Sequence, residues 1–261
     1  RRWEEIPQEE RDYLAAKMEV HAAMVDCVDQ SVGHIVATLE ENGQLENTLI
    51  LFLSDNGASP EIPMAPGYDR HSETRDGRLV LREEELKKPE NRGKLGTEES
   101  YAGIGPGWAS AANTPLRWWK AESYEGGCRT PLVAHWPAGN LAHIGGWNRI
   151  PGHVVDIAST LYELTVSVAR DKTLSDGDSI LLALQDGERS GGRALYFDHQ
   201  QGRAILEGSF KAVKRADSPW QLFDVRRDPG ETEDLAGVYP PKLKAMVEKW
   251  ERWKAEVVLA P

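Results

Sequence analysis

At 261 residues the chain is long enough for one large α/β domain, or a domain with a smaller appendage, with an ample core and no need of disulfides. A net charge of −11 argues against nucleic acid or an anionic membrane surface as partner, although a bound cation or local basic groups can reverse the field inside a cleft. Cys27 and Cys128 lie far apart and outside any CxxC or zinc-ligand pattern, and no run approaches the roughly 18 apolar residues of a membrane span. The opening Arg-Arg-Trp-Glu-Glu has neither Met nor a signal-peptide pattern, which suggests a processed or truncated chain.

The first predicted element is the longest. Leu14, Met18, Ala22, Val25, Val28, Val32, Ile35 and Leu39 recur at steps of three or four, which predicts one helix over residues 8–42 with Gly43 just past its end. Asp26 and Asp29 fall between the stripe positions and read as a solvated face. Thr48–Leu53 is a continuous apolar run, short for a helix and without polar alternation. It predicts a strand buried on both faces, as in a parallel sheet covered by helices. Asp55, Asn56 and Gly57 follow at the carboxyl end of that strand, where ligands collect in α/β sheets. A carboxylate and an amide carbonyl are a fair ligand pair for a hard cation such as Ca²⁺ or Mg²⁺, provided the glycine turns the chain so that they converge. A plain polar turn is the alternative.

Between Ala58 and Ala112 the pattern dissolves into Pro, Gly and charged residues, a length that is usually functional or disordered inside a compact domain. The Arg82–Lys88 run reads as a solvated segment, and Gly103–Trp108 follows no strand and lacks the Lys-Ser/Thr of a phosphate loop. Next comes a dense cluster: Trp118-Trp119, Lys120 and Glu125-Gly126-Gly127, then a short strand at Leu132–Trp136 stopped by Pro137. Lys120 could serve as a fixed positive charge for a tetrahedral anion, against the commoner solvent-facing role. The two indoles could stack on a sugar or aryl group, or simply pack. Val154, Ile157, Leu161 and Leu164 predict a helix packed on the core, with Asp156 favouring its N-terminus through the helix dipole. After about residue 190 the pattern becomes short strands, near residues 194–198, 204–206, 210–214 and 221–224. An amphipathic helix from Pro241 to about Val257 completes a small α+β unit.

In order and spacing these pieces resemble the C-terminal half of a type I sulfatase, of the arylsulfatase group in the alkaline-phosphatase-like superfamily. The resemblance rests on Lys17–Asp29, Asn47-Thr-Leu-Ile-Leu-Phe-Leu-Ser-Asp-Asn-Gly-Ala58, Gly105–Ala109 with Asn113-Thr-Pro115, Lys120, and Glu125-Gly-Gly127 leading into Thr130–Pro137. Pro151–Asp156 and Trp220–Leu235 continue it to the tail. It implies an α/β fold holding part of a mostly parallel sheet flanked by helices over residues 1–190. Residues 191–261 would form a small α+β subdomain of antiparallel strands and one helix. It also implies that Asp55 and Asn56 ligate a divalent cation, usually Ca²⁺ with Mg²⁺ as the alternative, and that Lys120 contacts the sulfate. The partner implied is a small-molecule or carbohydrate sulfate ester, and a periplasmic or secreted location would suit the family.

One family feature has no counterpart. The nucleophile of these enzymes is a formylglycine made from Cys or Ser in a Cys/Ser-x-Pro-x-Arg motif; Cys27 precedes Val-Asp-Gln-Ser, Cys128 precedes Arg-Thr-Pro-Leu, and no Ser-x-Pro-x-Arg occurs. The formylglycine and the remaining metal ligands are therefore expected before residue 1, and the fragment alone is expected to be inactive. A non-catalytic remnant on the same scaffold, and a phosphoester hydrolase of the superfamily, are the alternative readings.

Overall fold

The computed structural model describes residues 2–64, 77, 79–165, 176–187, 192–200 and 202–259. Helix α1 runs Gln8–Glu41, as the apolar spacing predicts. Its end is set by Gly43, which adopts φ 65°, while Gly43 N–H donates to Glu40 O and Gln44 N–H to Leu39 O. Among the described residues, the buried side chains of α1 lie in its first turns. Tyr13 and Lys17 are buried against the Glu83 carboxylate, Lys17 Nζ lying 2.9 Å and Tyr13 Oη 3.0 Å from its Oε2. Further along, Met24, Val25, Val28 and Ile35 are exposed.

Strand β1 (Ile50–Leu53) follows, then α2 (Glu83–Leu86), α3 (Gly105–Ala112), α4 (Glu125–Cys128) and β2 (Leu132–His135). The Arg82–Lys88 run is less solvated than its charge suggests, because Arg82, Glu83 and Leu86 are buried, Glu83 against Tyr13 and Lys17 of α1. The pairing of β1 does not display the expected parallel sheet among the described residues. It runs antiparallel to β2, with Ile50 opposite His135 and Leu53 opposite Leu132. Phe52, Leu132 and Val133 are exposed, so the strand is not covered on both faces by the described residues. An uninterrupted apolar run reports a need for cover but not the direction of the neighbouring strand. All paired strands among the described residues are antiparallel, and the one parallel contact is an isolated bridge between Leu81 and Ser100.

Helix α5 (Val155–Thr165) and α6 (Leu181–Asp186) come next. The apolar stripe predicted to pack α5 on the core is only half covered by the described residues: Val154 and Leu161 are exposed and Ile157 and Leu164 half-buried, while the buried side is Asp156, Ser159 and Thr160. These polar groups are satisfied largely by backbone. Ser159 Oγ donates to Gly177 O, and Asp156 accepts from the N–H groups of His153 and Asp178. Arg193 also reaches Asp156, so this carboxylate ties residues 153, 178 and 193 together.

The C-terminal part matches the reading of strands and helix closely. Strands β3 (Leu195–His199), β4 (Gly202–Glu207), β5 (Phe210–Arg215) and β6 (Gln221–Asp224) form an antiparallel sheet in chain order, followed by α7 (Pro240–Leu259). Successive strand residues point to opposite faces, and both faces are filled. Ile205, Ala212 and Leu222 pack on Met246 and Trp250 of α7. Ala204, Val213 and Phe223 pack instead on Tyr124, with Trp118 beside them. The sheet therefore lies between its own helix and the loop that carries Lys120.

Candidate functional site

Two loops meet at the carboxyl end of β1. The first is Ser54–Glu61 and the second is Asn113–Thr130, and they are joined mainly through backbone groups. Thr130 Oγ1 donates to Ser54 O at 2.7 Å, Gly57 N–H to Gly127 O at 3.0 Å, and Lys120 N–H to Ala58 O at 3.0 Å. The Asn113 side chain is the hub of the join. Its Oδ1 accepts from Ala58 N–H at 3.1 Å, while its Nδ2 donates to Trp118 O at 2.9 Å and Gly126 O at 2.8 Å. Close approach explains the glycines: a Cβ on Gly57 would lie 1.7 Å from Gly126 O, and one on Gly126 2.1 Å from Trp118 O.

The geometry thus brings Asp55-Asn56 and the Lys120 segment into one hydrogen-bonded unit. Asp55 is exposed and Asn56 half-buried, with Ser54 Oγ donating to Asn56 O to close the turn. Lys120 sits between Trp118 and Ala121, which hold positive φ of 65° and 72°. Non-glycine residues in that region are strained and persist only where the surroundings over-determine them. Lys120 Nζ lies 3.0 Å from Glu61 Oε2, and both side chains are about half-buried. Trp118 is not a free stacking platform: it packs toward the C-terminal sheet and carries the Arg215 guanidinium 4.8 Å from its ring centre.

Beneath the Glu125-Gly126-Gly127 turn lies a buried ion cluster that spacing alone did not reveal. Lys211 Nζ, fully buried on β5, is 2.8 Å from Glu125 Oε1, 3.2 Å from Glu231 Oε1 and 3.3 Å from Cys128 Sγ. Glu231 Oε2 also accepts from Glu125 N–H at 2.7 Å. Burial works against the Lys211 charge, but the facing Cys128, Glu125 and Glu231 groups outweigh it and raise its pKa. One ammonium cannot fully serve two carboxylates, so burial lifts the Glu231 pKa despite that neighbour. Burial likewise pushes the Cys128 thiol up, which keeps it a packed thiol rather than a nucleophile. The clue in the sequence was a Lys flanked by Phe210 and Ala212 in an apolar strand, but its partners are Glu125, 86 residues before it, and Glu231, further along the chain.

Asp55 and Asn56 offer two oxygen donors suited to a hard cation, and the exposed carboxylate is open to receive one. Among the described residues no group of three or more His, Cys, Asp or Glu side chains is placed to hold a metal. The pair could therefore supply at most two ligands of a larger shell.

Residues 3–168 match the family model described as Sulfatase. The chain belongs to the sulfatase family. It is 30% identical to an uncharacterized sulfatase of Schizosaccharomyces pombe over 99% of its own length and 47% of that protein's. It is 32% identical to an arylsulfatase of Klebsiella aerogenes over 62% of this chain and 32% of that one. Among solved structures, Ps i-CgsB in complex with k-i-k-neocarrahexaose superposes with a TM-score of 0.64 at 25% identity, covering 96% of this chain and 44% of that one. The sulfatase chain described here spans less than half the length of these relatives. The alkaline-phosphatase-like sulfatase fold expected from the motif order is therefore the family to which it belongs.

Proposed function

We propose that this chain supplies the C-terminal part of a sulfuric ester hydrolase, with Asp55 and Asn56 as two ligands of a divalent cation and Lys120 as a contact to the sulfate group. The observation that carries the reading is the backbone stitching of the Asp55-Asn56 turn to the Lys120 loop, in a chain of the sulfatase family. The cation, Ca²⁺ or in its place Mg²⁺, would supply Lewis-acid polarisation of the sulfate oxygens when bound. This chain's own contribution is positional. Asp55 presents a carboxylate and Asn56 an amide oxygen from a turn closed by Ser54, and Gly57 anchors that turn on Gly127. Lys120 holds a fixed positive charge beside them, stabilising negative charge that develops on the sulfate oxygens and the leaving group.

The nucleophile in this reading is a formylglycine from a Cys/Ser-x-Pro-x-Arg motif outside the 261 residues. The half-exposed faces of β1 and β2 would then lie within a larger, mostly parallel sheet. Residues 1–190 would belong to the catalytic α/β domain, and 191–261 would be a subdomain clamped on through Lys211. The substrate is a small-molecule or carbohydrate sulfate ester, a reading supported by the oligosaccharide complex of the related Ps i-CgsB. In the full-length protein, Lys120→Ala is expected to slow hydrolysis of nitrophenyl sulfate on the order of 10²-fold or more, the loss typical of one oxyanion-stabilising group. Unchanged turnover in both Lys120→Ala and Asp55→Ala would sink the assignment.

A further inference from the structure

The ammonium of Lys120 already has a partner. Glu61 Oε2 lies 3.0 Å from Lys120 Nζ, and the contact joins two segments that are also tied by Lys120 N–H to Ala58 O. The carboxylate is held in place from its own side of the contact. Ser59 Oγ donates to Glu61 Oε2 at 2.8 Å and accepts from Glu61 N–H at 3.3 Å. Behind it, Gly103 lies against the Glu61 carbonyl so closely that a Cβ there would be 2.0 Å from that oxygen. The lysine is fixed as well, between the positive-φ residues Trp118 and Ala121. An ordinary surface ion pair joins two mobile side chains and contributes little. Here both backbones are pinned and Ser59 also holds the Glu61 carboxylate, so less freedom remains to be lost when the charges meet.

We propose that Glu61 is a displaceable internal counter-ion of Lys120: it holds the ammonium when no anion is bound and weakens the grip of Lys120 on inorganic sulfate. The inference rests on the reading of Lys120 as the sulfate contact, and deepens it by naming what sets the strength of that contact. An arriving anion must share or take the ammonium from a carboxylate of the same sign. The repulsion weighs more on released sulfate, a dianion, than on a sulfate ester, which carries a single negative charge, so it favours release of the product over loss of the substrate. Both side chains are about half-buried, so solvent screens the effect without erasing it.

The test is equilibrium dialysis of radiolabelled inorganic sulfate against the full-length protein, with Ca²⁺ present, for the parent, Glu61→Gln, Glu61→Asp, Lys120→Ala and the Lys120→Ala/Glu61→Gln double variant. Glu61→Gln is expected to tighten sulfate binding on the order of 3- to 10-fold at low salt, as a single screened charge would. Glu61→Asp, which keeps the charge, should remain near the parent. The gain should vanish when Lys120 is also removed, because Glu61 acts through that ammonium. A Glu61→Gln protein that binds sulfate no more tightly, while Lys120→Ala weakens binding, would overturn the counter-ion role alone. Unchanged binding in Lys120→Ala would overturn the sulfate-contact reading and this inference with it. Equal gains with and without Lys120 would show a general field effect and would also refute the proposal. Thermal unfolding of each variant checks that all remain folded, and Glu61→Ala stands in if the Gln variant does not.

Discussion

Replacing Lys211 with Met is the substitution that most directly probes how the C-terminal sheet supports the candidate site. The ammonium is fully buried and faces Glu125 at 2.8 Å and Glu231 at 3.2 Å, so its removal leaves Glu231 without a cation in a dry interior and Glu125 with only the half-exposed Arg129 at 3.3 Å. Breaking a buried pair by deleting one partner typically costs about 3–5 kcal/mol, because the remaining charge is uncompensated. Met keeps most of the volume, so little of that loss comes from a cavity. Against a total of roughly 5–15 kcal/mol for a folded domain, such a loss is severe. In urea, with a slope near 3 kcal/mol/M, the midpoint should fall by about 1–1.7 M. Adding Glu125→Gln and Glu231→Gln should recover most of the deficit, since a Gln side-chain oxygen can still accept from the residue 125 N–H that Glu231 now serves. Raised pKa values set the pH sign: the Lys211 contribution is fully present below the pKa of an unfolded lysine and is lost only as pH rises through its higher folded value. A Lys211→Met protein within about 1 kcal/mol of the parent, or a triple variant no better than the single one, would refute this account of the cluster.

Other outcomes follow from the same geometry. Gly57→Ala places a methyl 1.7 Å from Gly126 O, so the two loops must separate; activity of the full-length protein should fall further than its melting temperature, and a fully active variant would contradict the stitched-loop picture. Burial, with Arg193 nearby, lowers the His153 pKa from 6.5, and its neutral Nδ1 accepts from Val155 N–H. A lowered histidine pKa means the unfolded chain binds more protons below pH 6.5, so stability is present above that pH and is lost as pH falls toward the folded value. His153→Asn, which keeps an acceptor but does not titrate, should flatten that part of the urea midpoint against pH; an unchanged slope would refute it. The purified 261-residue chain should not turn over nitrophenyl sulfate, since it holds no Cys/Ser-x-Pro-x-Arg; turnover lost on chelation would overturn the expectation.

Much of the architecture could be read from periodicity. The bounds of α1, the four strands of the C-terminal sheet and α7 follow from apolar spacing and turn residues, because those signals are local. The direction of β1 was not legible: pairing with β2 depends on residues 80 positions away, and an apolar run is blind to it. The buried face of α5 was misread for a related reason. Its apolar residues are exposed or only half-buried among the described residues, and Asp156, Ser159 and Thr160 are buried because each finds a backbone or Arg193 partner that only the folded chain supplies. In the site, Asp55, Asn56 and Lys120 were legible as residue types in motif order. Their supports were not. Asn113, Glu61 and Lys211 act through contacts spanning 55 to 86 residues, and nothing in their local sequence marks those partners.

The measurement that bears most directly on the central claim is cation binding by the full-length protein, read by calorimetry with Ca²⁺ and followed in parallel by hydrolysis of nitrophenyl sulfate. The parent should bind Ca²⁺ and lose activity on chelation. Asp55→Ala and Asn56→Ala should each weaken Ca²⁺ binding by about tenfold or more and reduce hydrolysis in step. Ca²⁺ affinity and turnover that match the parent in both variants would contradict the assignment of Asp55 and Asn56 as the metal ligands contributed by this chain.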